Sequence, residues 1–414
     1  MSLVDLENHC SELATAIQSL AAYCRAQRSA DSNLRSPLAN GERTPELQPI
    51  LPPDAPSEVH RTQLLACVRW LGEFQVLAFI PPQGCVPIGS LVDLTGVPEA
   101  QLARIVRMVA TAGFLHQPQP NHVAHTALSV AFAERPCLLD AALFLSETIA
   151  PCSLQMATAT QNFGVSRLSH ETAYNIAFNT SSSFAENLEQ RPRLQRQWPA
   201  FVRYGMGDLD ASVYEVLLQY DWGGLPNDSL VVEVGASSTA IATKLLRINP
   251  SLRLVIQVVE RGVSDRVNVA PLLDLSRTLI QQYRPGTIQA ITDAAVYIIH
   301  LPIISPLTSS ELVHARITAE LRAHMAVLSA NRRPVLLLVP GPLLRSDASG
   351  QDVVSQLRDL CHWQLANERE MDTAELLSLV TGVSDSIGHL VVVGQLSSSH
   401  TTTALIVRYQ TYYT

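Results

Sequence analysis

The sequence predicts an α/β protein in two parts: a helical and winged-helix region over residues 1–150, then a mostly parallel sheet closed by an antiparallel hairpin. Three observations carry this. Helical periodicity dominates before residue 206, apolar runs of strand length alternate with helical stretches after residue 230, and the last two runs are joined by a polar turn. At 414 residues the chain exceeds one ordinary core and suits two.

Composition narrows the classes. Apolar residues make up 47% of the chain, as in a globular protein, and a net charge of -8 gives no electrostatic case for nucleic acid or an anionic membrane. Lys244 is the single lysine. The cysteines (Cys10, Cys24, Cys67, Cys85, Cys137, Cys152, Cys361) are odd in number and lack any C-x-x-C pairing, so they read as free thiols, with neither a disulfide framework nor a metal site expected. The N-terminus MSLVDLENHC has no basic segment followed by an apolar one, and no apolar run reaches the length of a membrane span. A soluble, cytoplasmic protein is expected.

In chain order, Leu3, Leu6, Leu13, Ile17, Leu20 and Tyr23 recur at helical spacing, which predicts an amphipathic helix over 3–28. A stretch rich in Pro, Ser and Asn follows and reads as a flexible linker over 29–57. Periodicity resumes at 64–80, and then comes a helix, a turn at Gly96-Val97-Pro98, a second helix, and two short strands around Gln117–Asn121, the order of a winged helix. A DNA-reading helix needs cationic and amide side chains facing the groove. The second helix carries only Arg104 and Arg107 among alanines, valines and leucines, so packing or dimerisation is the expected role.

From residue 230 the runs LVVEV (230–234), RLVIQVV (253–259), AAVYIIH (294–300), PVLLLV (334–339) and HLVVVGQL (389–396) predict buried strands, separated by helices such as SSELVHARITAELRAHMAVLS and DVVSQLRDLCHW. Buried runs alternating with helices indicate a parallel sheet covered on both faces. LVVVGQL, the polar SSSHTTT and ALIVRYQ form the closing hairpin.

Several segments carry a family resemblance: VAHTALS after the wing, ETAYNIAFNTSSSFAENLEQRP, YDWGGLPNDSLVVEVG, INPSLRLVIQ, DAAVYIIH and NEREMDTAELLSLV. From about residue 60 onward the layout resembles the fungal S-adenosylmethionine (SAM) dependent O-methyltransferases. The resemblance implies a class I methyltransferase, Rossmann-like domain over 206–414, a helical connector over 151–205 lining a substrate pocket, and a dimerisation domain over 1–150, hence a homodimer.

The chain departs from that family where the methyl donor would bind. The family's V-D-V-G-G-x-x-G turn lets the backbone approach SAM, but here it reads Val232-Glu233-Val234-Gly235-Ala236-Ser237-Ser238-Thr239. Only the first glycine remains. The acidic residue that holds the SAM ribose becomes Val258, with Glu260 two residues on as a substitute through a shifted turn. The family's H-D-F-F falls on Tyr283-Arg284-Pro285-Gly286, and the gapless register puts Ile304 where the catalytic histidine would be. A second register would set His300 there.

The same architecture serves O-methyltransferase-like pericyclases, which need an apolar pocket and a few hydrogen-bond donors but no methyl donor. The resemblance therefore implies a pericyclase acting by dehydration, Diels-Alder, hetero-Diels-Alder or Alder-ene chemistry on a small-molecule polyketide or alkaloid substrate, with no cofactor. The alternatives are a SAM-dependent O-methyltransferase and a non-catalytic partner subunit. The candidate catalytic residues are His170, which heads HETAYNIAF; Thr239, at the lost glycine; His300, at a strand end; and Arg345, after the PVLLLV strand. Each has a plain alternative: a capping or surface histidine, a packed loop residue, a core histidine and a solvated arginine. Gly235, Ser237 and Glu260 would contact SAM if it binds. The site is expected between the 150–205 segment and the C-terminal strand ends.

Overall fold

The computed structural model describes residues 58–206, 209–236, 238–259, 274, 276–329, 334–341, 343–344, 353–397 and 403–412. The expected helix at 3–28, the linker at 29–57, and the site candidates Ser237, Glu260 and Arg345 lie outside the described residues. Two compact units emerge, one from the described part of Met1–Leu154 with Leu188–Gly207, the other from Gln155–Asn187 with Asp208–Thr414. The segment 151–205 is thus shared between them.

The first unit begins with α1 (Glu58–Glu73), α2 (Val76–Phe79), β1 (Val86–Pro87), α3 (Ile88–Thr95) and α4 (Glu99–Thr111). Gly96 ends α3 at a φ of 70°, its N–H donating to the Val92 carbonyl at 2.8 Å, and this left-handed residue turns the chain into α4. The wing strands β2 (Leu115–His116) and β3 (His122–His125) flank the expected turn, and with β1 they form an antiparallel sheet of order β1-β3-β2. Leu102, Val106 and Val109 of α4 join Leu71, Leu91, Phe114 and Val123 in one buried cluster. Each such side chain contributes roughly 1.5–3 kcal/mol.

Next come α5 (Ala127–Glu134), capped by a reciprocal Thr126–Ser129 pair, α6 (Pro136–Phe144), a π-turn at Leu145–Ile149, and α7 (Ala150–Leu154). The chain then passes through α8 (Met156–Phe163), α9 (Ala173–Phe178) and α10 (Phe184–Gln190) before α11 (Pro192–Gly205) returns to the first unit. There α11 lies on α6, with Phe144 4.9 Å from Phe201 and 5.5 Å from Trp198 between ring centres. The run Pro136–Leu154 is long and apolar enough by length and composition to cross a membrane, and half of it is buried. The sequence reading passed over it because Asp140 and Glu147 interrupt the apolar run; Arg196 and Arg193 pair with them at 2.9 and 2.6 Å.

The second unit adds α12 (Leu209–Leu217), β4 (Leu230–Ala236), α13 (Ala240–Ile248), β5 (Arg253–Val259), β6 (Thr278–Tyr283), β7 (Val296–His300), α14 (Ser310–Ser329), β8 (Val335–Val339), α15 (Val353–Ala366), α16 (Thr373–Thr381), β9 (Gly388–Ser397) and β10 (Thr403–Thr411). The sheet order is β6-β5-β4-β7-β8-β10-β9. β4 to β8 run parallel, and β10 enters antiparallel between β8 and β9. This is the doubly wound order with one extra antiparallel strand, as expected for the Rossmann-like, methyltransferase-type fold with its C-terminal hairpin.

Alternation assigns the two faces. Val232, Tyr297 and Leu336 pack with Ile317 of α14 and Leu376 of α16, while Val231, Ile298 and Leu337 pack with Leu217 of α12 and Leu245 of α13. The edge strand β6 has no counterpart among the expected runs. Its TLIQQY carries Gln281 and Gln282, and an edge strand needs less apolar surface than a central one.

Candidate functional site

The strand order reverses between β4 and β7, and doubly wound sheets bind ligands at the carboxyl ends of the strands at this point. The register pairs Glu233 with Ile298 and Val234 with Ile299, so Glu233 and His300 project from the same face as diagonal neighbours. They bond each other, His300 Nε2 lying 2.9 Å from Glu233 Oε1. A carboxylate only accepts, so Nε2–H donates. Glu233 is buried, and its Oε2 has no hydrogen-bond partner among the described residues. His300 is partly exposed.

Gly235 sits beside this pair with a φ of 76°, and a Cβ there would lie 3.2 Å from the His300 carbonyl oxygen. The surviving glycine is therefore required by the chain's own geometry. Thr239 precedes α13 and is fully buried; its carbonyl accepts from the Thr243 amide at 3.0 Å and the Thr243 hydroxyl at 2.8 Å. Ser238 Oγ accepts from the Ala240 N–H at 3.4 Å, within the helix terminus that in dinucleotide-binding folds faces a ligand. Val258 is buried beside Ala236, and Arg284 is exposed just beyond β6. Ile304 lies in a depression with Leu301, Ile303, Leu343, Met371 and Glu370, and its own side chain offers hydrocarbon rather than a proton acceptor.

The structure thus brings Gly235 and His300 together with Glu233, a partner the sequence reading did not single out. Its signal was a carboxylate inside a continuous apolar run. His170 is exposed on the turn before α9, and neither Glu233 nor His300 bonds it. Among the described residues, Thr239 fills the place of the last glycine, Val258 is apolar at the ribose position, and Glu233 is engaged by His300.

A second feature of this unit is α15, which buries several polar side chains beside Cys361, Leu365 and Ala366 and leaves an apolar stripe exposed. Ser355, Arg358, His362 and Gln364 are buried, while Val353, Leu357, Leu360 and Trp363 are between 37% and 56% exposed. These four lie at i, i+4, i+7 and i+10, one stripe of the helix. The polar face is held inside by specific bonds. Arg358 pairs with Glu370 and donates to Ser355 Oγ at 3.2 Å, Asp359 accepts from the Glu370 N–H at 2.8 Å, and the Gln364 amide donates to Met156 Sδ at 3.2 Å.

Removing one member of such a buried pair costs about 3–5 kcal/mol, enough to fix the rotation of the helix. Burial, and then the Arg358 charge, lower the pKa of His362 to about 4, and burial pushes the Cys361 thiol up to about 12. The stripe continues into Val165 and Leu168 on the turn after α8, which Asn367 ties to the end of α15 through bonds to the Leu168 and Glu171 carbonyls at 2.8 and 2.9 Å.

Residues 3–67 match the family model described as the N-terminal domain of the trypacidin cluster transcriptional coactivator. The chain is 39% identical to the monodictyphenone cluster transcriptional coactivator of Emericella nidulans, over 99% of each protein. It belongs to this family of biosynthetic-cluster transcriptional coactivators. Identity to the trypacidin cluster transcriptional coactivator of Aspergillus fumigatus is likewise 39%, over 99% of this chain and 97% of that one. Among solved structures, OxaC in complex with SAH and oxaline superposes with a TM-score of 0.60 over 98% of this chain and 99% of its own, at 15% identity. That likeness carries the fold alone.

The family membership corrects three expectations. The pericyclase reading, and the enzyme reading behind it, are overturned by full-length coactivator relatives that share this chain's sequence far more closely than the enzymes of the same fold. The expected partner set, built on a small-molecule polyketide or alkaloid substrate, gives way to the regulatory partners that coactivation requires. The resemblance held for the fold and failed for the activity, because one fold hosts many functions.

Proposed function

We propose that the protein is a non-catalytic transcriptional coactivator of a secondary-metabolite gene cluster, working in the nucleus and independently of SAM. The observation that carries this is the 39% identity to a cluster coactivator over 99% of both chains. The geometry of the second unit supports it. Glu233, Thr239 and Ile304 occupy the donor and base positions with side chains that are buried. The apolar stripe of α15 has the character of a protein contact, with a tryptophan among its anchors. It docks a regulatory protein through apolar side chains. His170 and His300 are then structural groups, one on a surface turn and one orienting Glu233.

The test is deletion of the gene in its host, with transcripts of the neighbouring biosynthetic genes measured beside the metabolites. Coactivation predicts that those transcripts fall severalfold together and that every pathway intermediate disappears. Unchanged transcripts with one intermediate accumulating would overturn the proposal in favour of an enzyme.

A further inference from the structure

Among the described residues, the winged helix of the first unit leaves one helix face exposed and cationic. On α4, Leu102, Val106 and Val109 point into the core, while Gln101, Arg104, Arg107 and Thr111 are exposed. Residues three apart on a helix are neighbours at about 5–6 Å between Cβ atoms, so Gln101, Arg104 and Arg107 form one row. Neither arginine has an ion pair or a side-chain hydrogen bond among the described residues. The same unit treats other arginines differently: Arg193 lies 2.8 Å from Glu73 and 2.6 Å from Glu147, and Arg196 lies 2.9 Å from Asp140.

Three further features set the local field. Residues 58–154 and 188–206 hold nine arginines and eight carboxylates, so the net charge of -8 resides elsewhere in the chain. The wing, Leu115–His125, contains no carboxylate and exposes His116, Gln119 and Asn121. Asp93 and Glu99, the acids on α3 and at the start of α4, make no ion pair with Arg104 or Arg107.

We propose that this unit docks α4 on duplex DNA, with Arg104 and Arg107 meeting phosphates or guanine edges and Gln101 an adenine edge. The second helix of this architecture is the one that enters a major groove, and arginine and glutamine are the side chains whose donors match those edges. The earlier objection was that α4 carries only two cations; the structure puts both on the free face, with the amide in line. The proposal deepens the coactivator reading by naming a nucleic-acid partner, and it stands on the geometry of this unit alone.

The experiment uses the full chain and fluorescence anisotropy with two labelled duplexes of about 30 base pairs, roughly three helical turns. One is taken from the promoter of a neighbouring biosynthetic gene and one has scrambled sequence. Binding is measured across a salt series. Wild type should bind, weakening steeply as salt rises, and the double variant Arg104→Ala/Arg107→Ala should lower the slope of log affinity against log salt by about 2. Arg104→Glu/Arg107→Glu should abolish binding. Both variants change exposed side chains, and an unaltered thermal melt checks the fold.

Equal binding by wild type and the alanine variant overturns the proposal. So does absence of duplex binding by wild type, including the case in which the same variant loses a protein partner, which would make the face a protein site. The coactivator reading fails on a different observable, the transcripts of a deletion strain.

Discussion

At the ends of β4 and β7, Glu233 and His300 turn their polar atoms toward each other, whereas α15 buries Ser355, Arg358, His362 and Gln364 and exposes Leu357 and Trp363. The first arrangement occupies the place where a doubly wound sheet receives its ligand. The second provides apolar surface where a water-facing helix would ordinarily be polar. On the function proposed above, this unit keeps the methyltransferase-type scaffold and presents its recognition surface on a helix rather than at the strand ends.

The sharpest way to break the comparison is to ask whether the interior polar face of α15 holds the helix in place. Arg358→Met removes the ion-pair partner of the buried Glu370, which should cost about 3–5 kcal/mol in denaturant unfolding. A cost near zero would mean that α15 is free to rotate and that its exposed stripe is not fixed.

Acid should act in the same direction. Burial lowers the pKa of His362 to about 4 from a reference of 6.5, so the unfolded chain binds a proton more readily than the fold does. Stability from this group is present above the unfolded value and is lost as pH falls from about 6.5 to about 4, by roughly 3 kcal/mol in all. Burial also lowers the pKa values of His324 and His125, which adds to the loss. Denaturant midpoints at pH 7 and pH 5 measure it, and a midpoint that rises on acidification would contradict the account.

At the switch point the effect is smaller. His300→Ala removes the hydrogen bond to the buried Glu233 carboxylate and should cost about 2 kcal/mol. His300→Gln keeps a donor and should recover most of that. Smallest of all, Leu357→Glu/Trp363→Glu should change stability by about 0.5 kcal/mol at Leu357, which is 56% exposed, and by about 1 kcal/mol at Trp363, which is 37% exposed. It should nonetheless abolish capture of the regulatory partner, and it is this separation of stability from binding that sharpens the comparison.

Much of the architecture was legible because it depends on short-range patterns. Continuous apolar runs marked β4, β5, β7, β8, β9 and β10, and helical periodicity with Gly96 marked the winged helix. β6 was not legible: Gln281 and Gln282 dilute its apolar content, as an edge position allows.

The rotation of α15 was not legible either, because apolar residues lie on both sides of the helix, Cys361 and Leu365 inside and Leu357 and Leu360 outside. What sets it is the bond from Arg358 to Glu370, a contact across the turn that ends the helix. Glu233 and His300 are 67 residues apart and meet only through the register of β4 and β7. The changes at Ala236, Thr239, Val258 and Ile304 cast doubt on methyl transfer, but residue chemistry alone could not choose between a new catalyst and a protein without catalysis. The full-length relatives, named as cluster coactivators, favour the second.

The most direct measurement is rescue of the deletion strain by two variants expressed at equal level, with transcripts of the neighbouring biosynthetic genes as the readout. The account predicts that His300→Gln restores transcription to the wild-type level and that Leu357→Glu/Trp363→Glu does not. Rescue by the α15 variant together with failure of the His300 variant would place function back at the strand ends and contradict it.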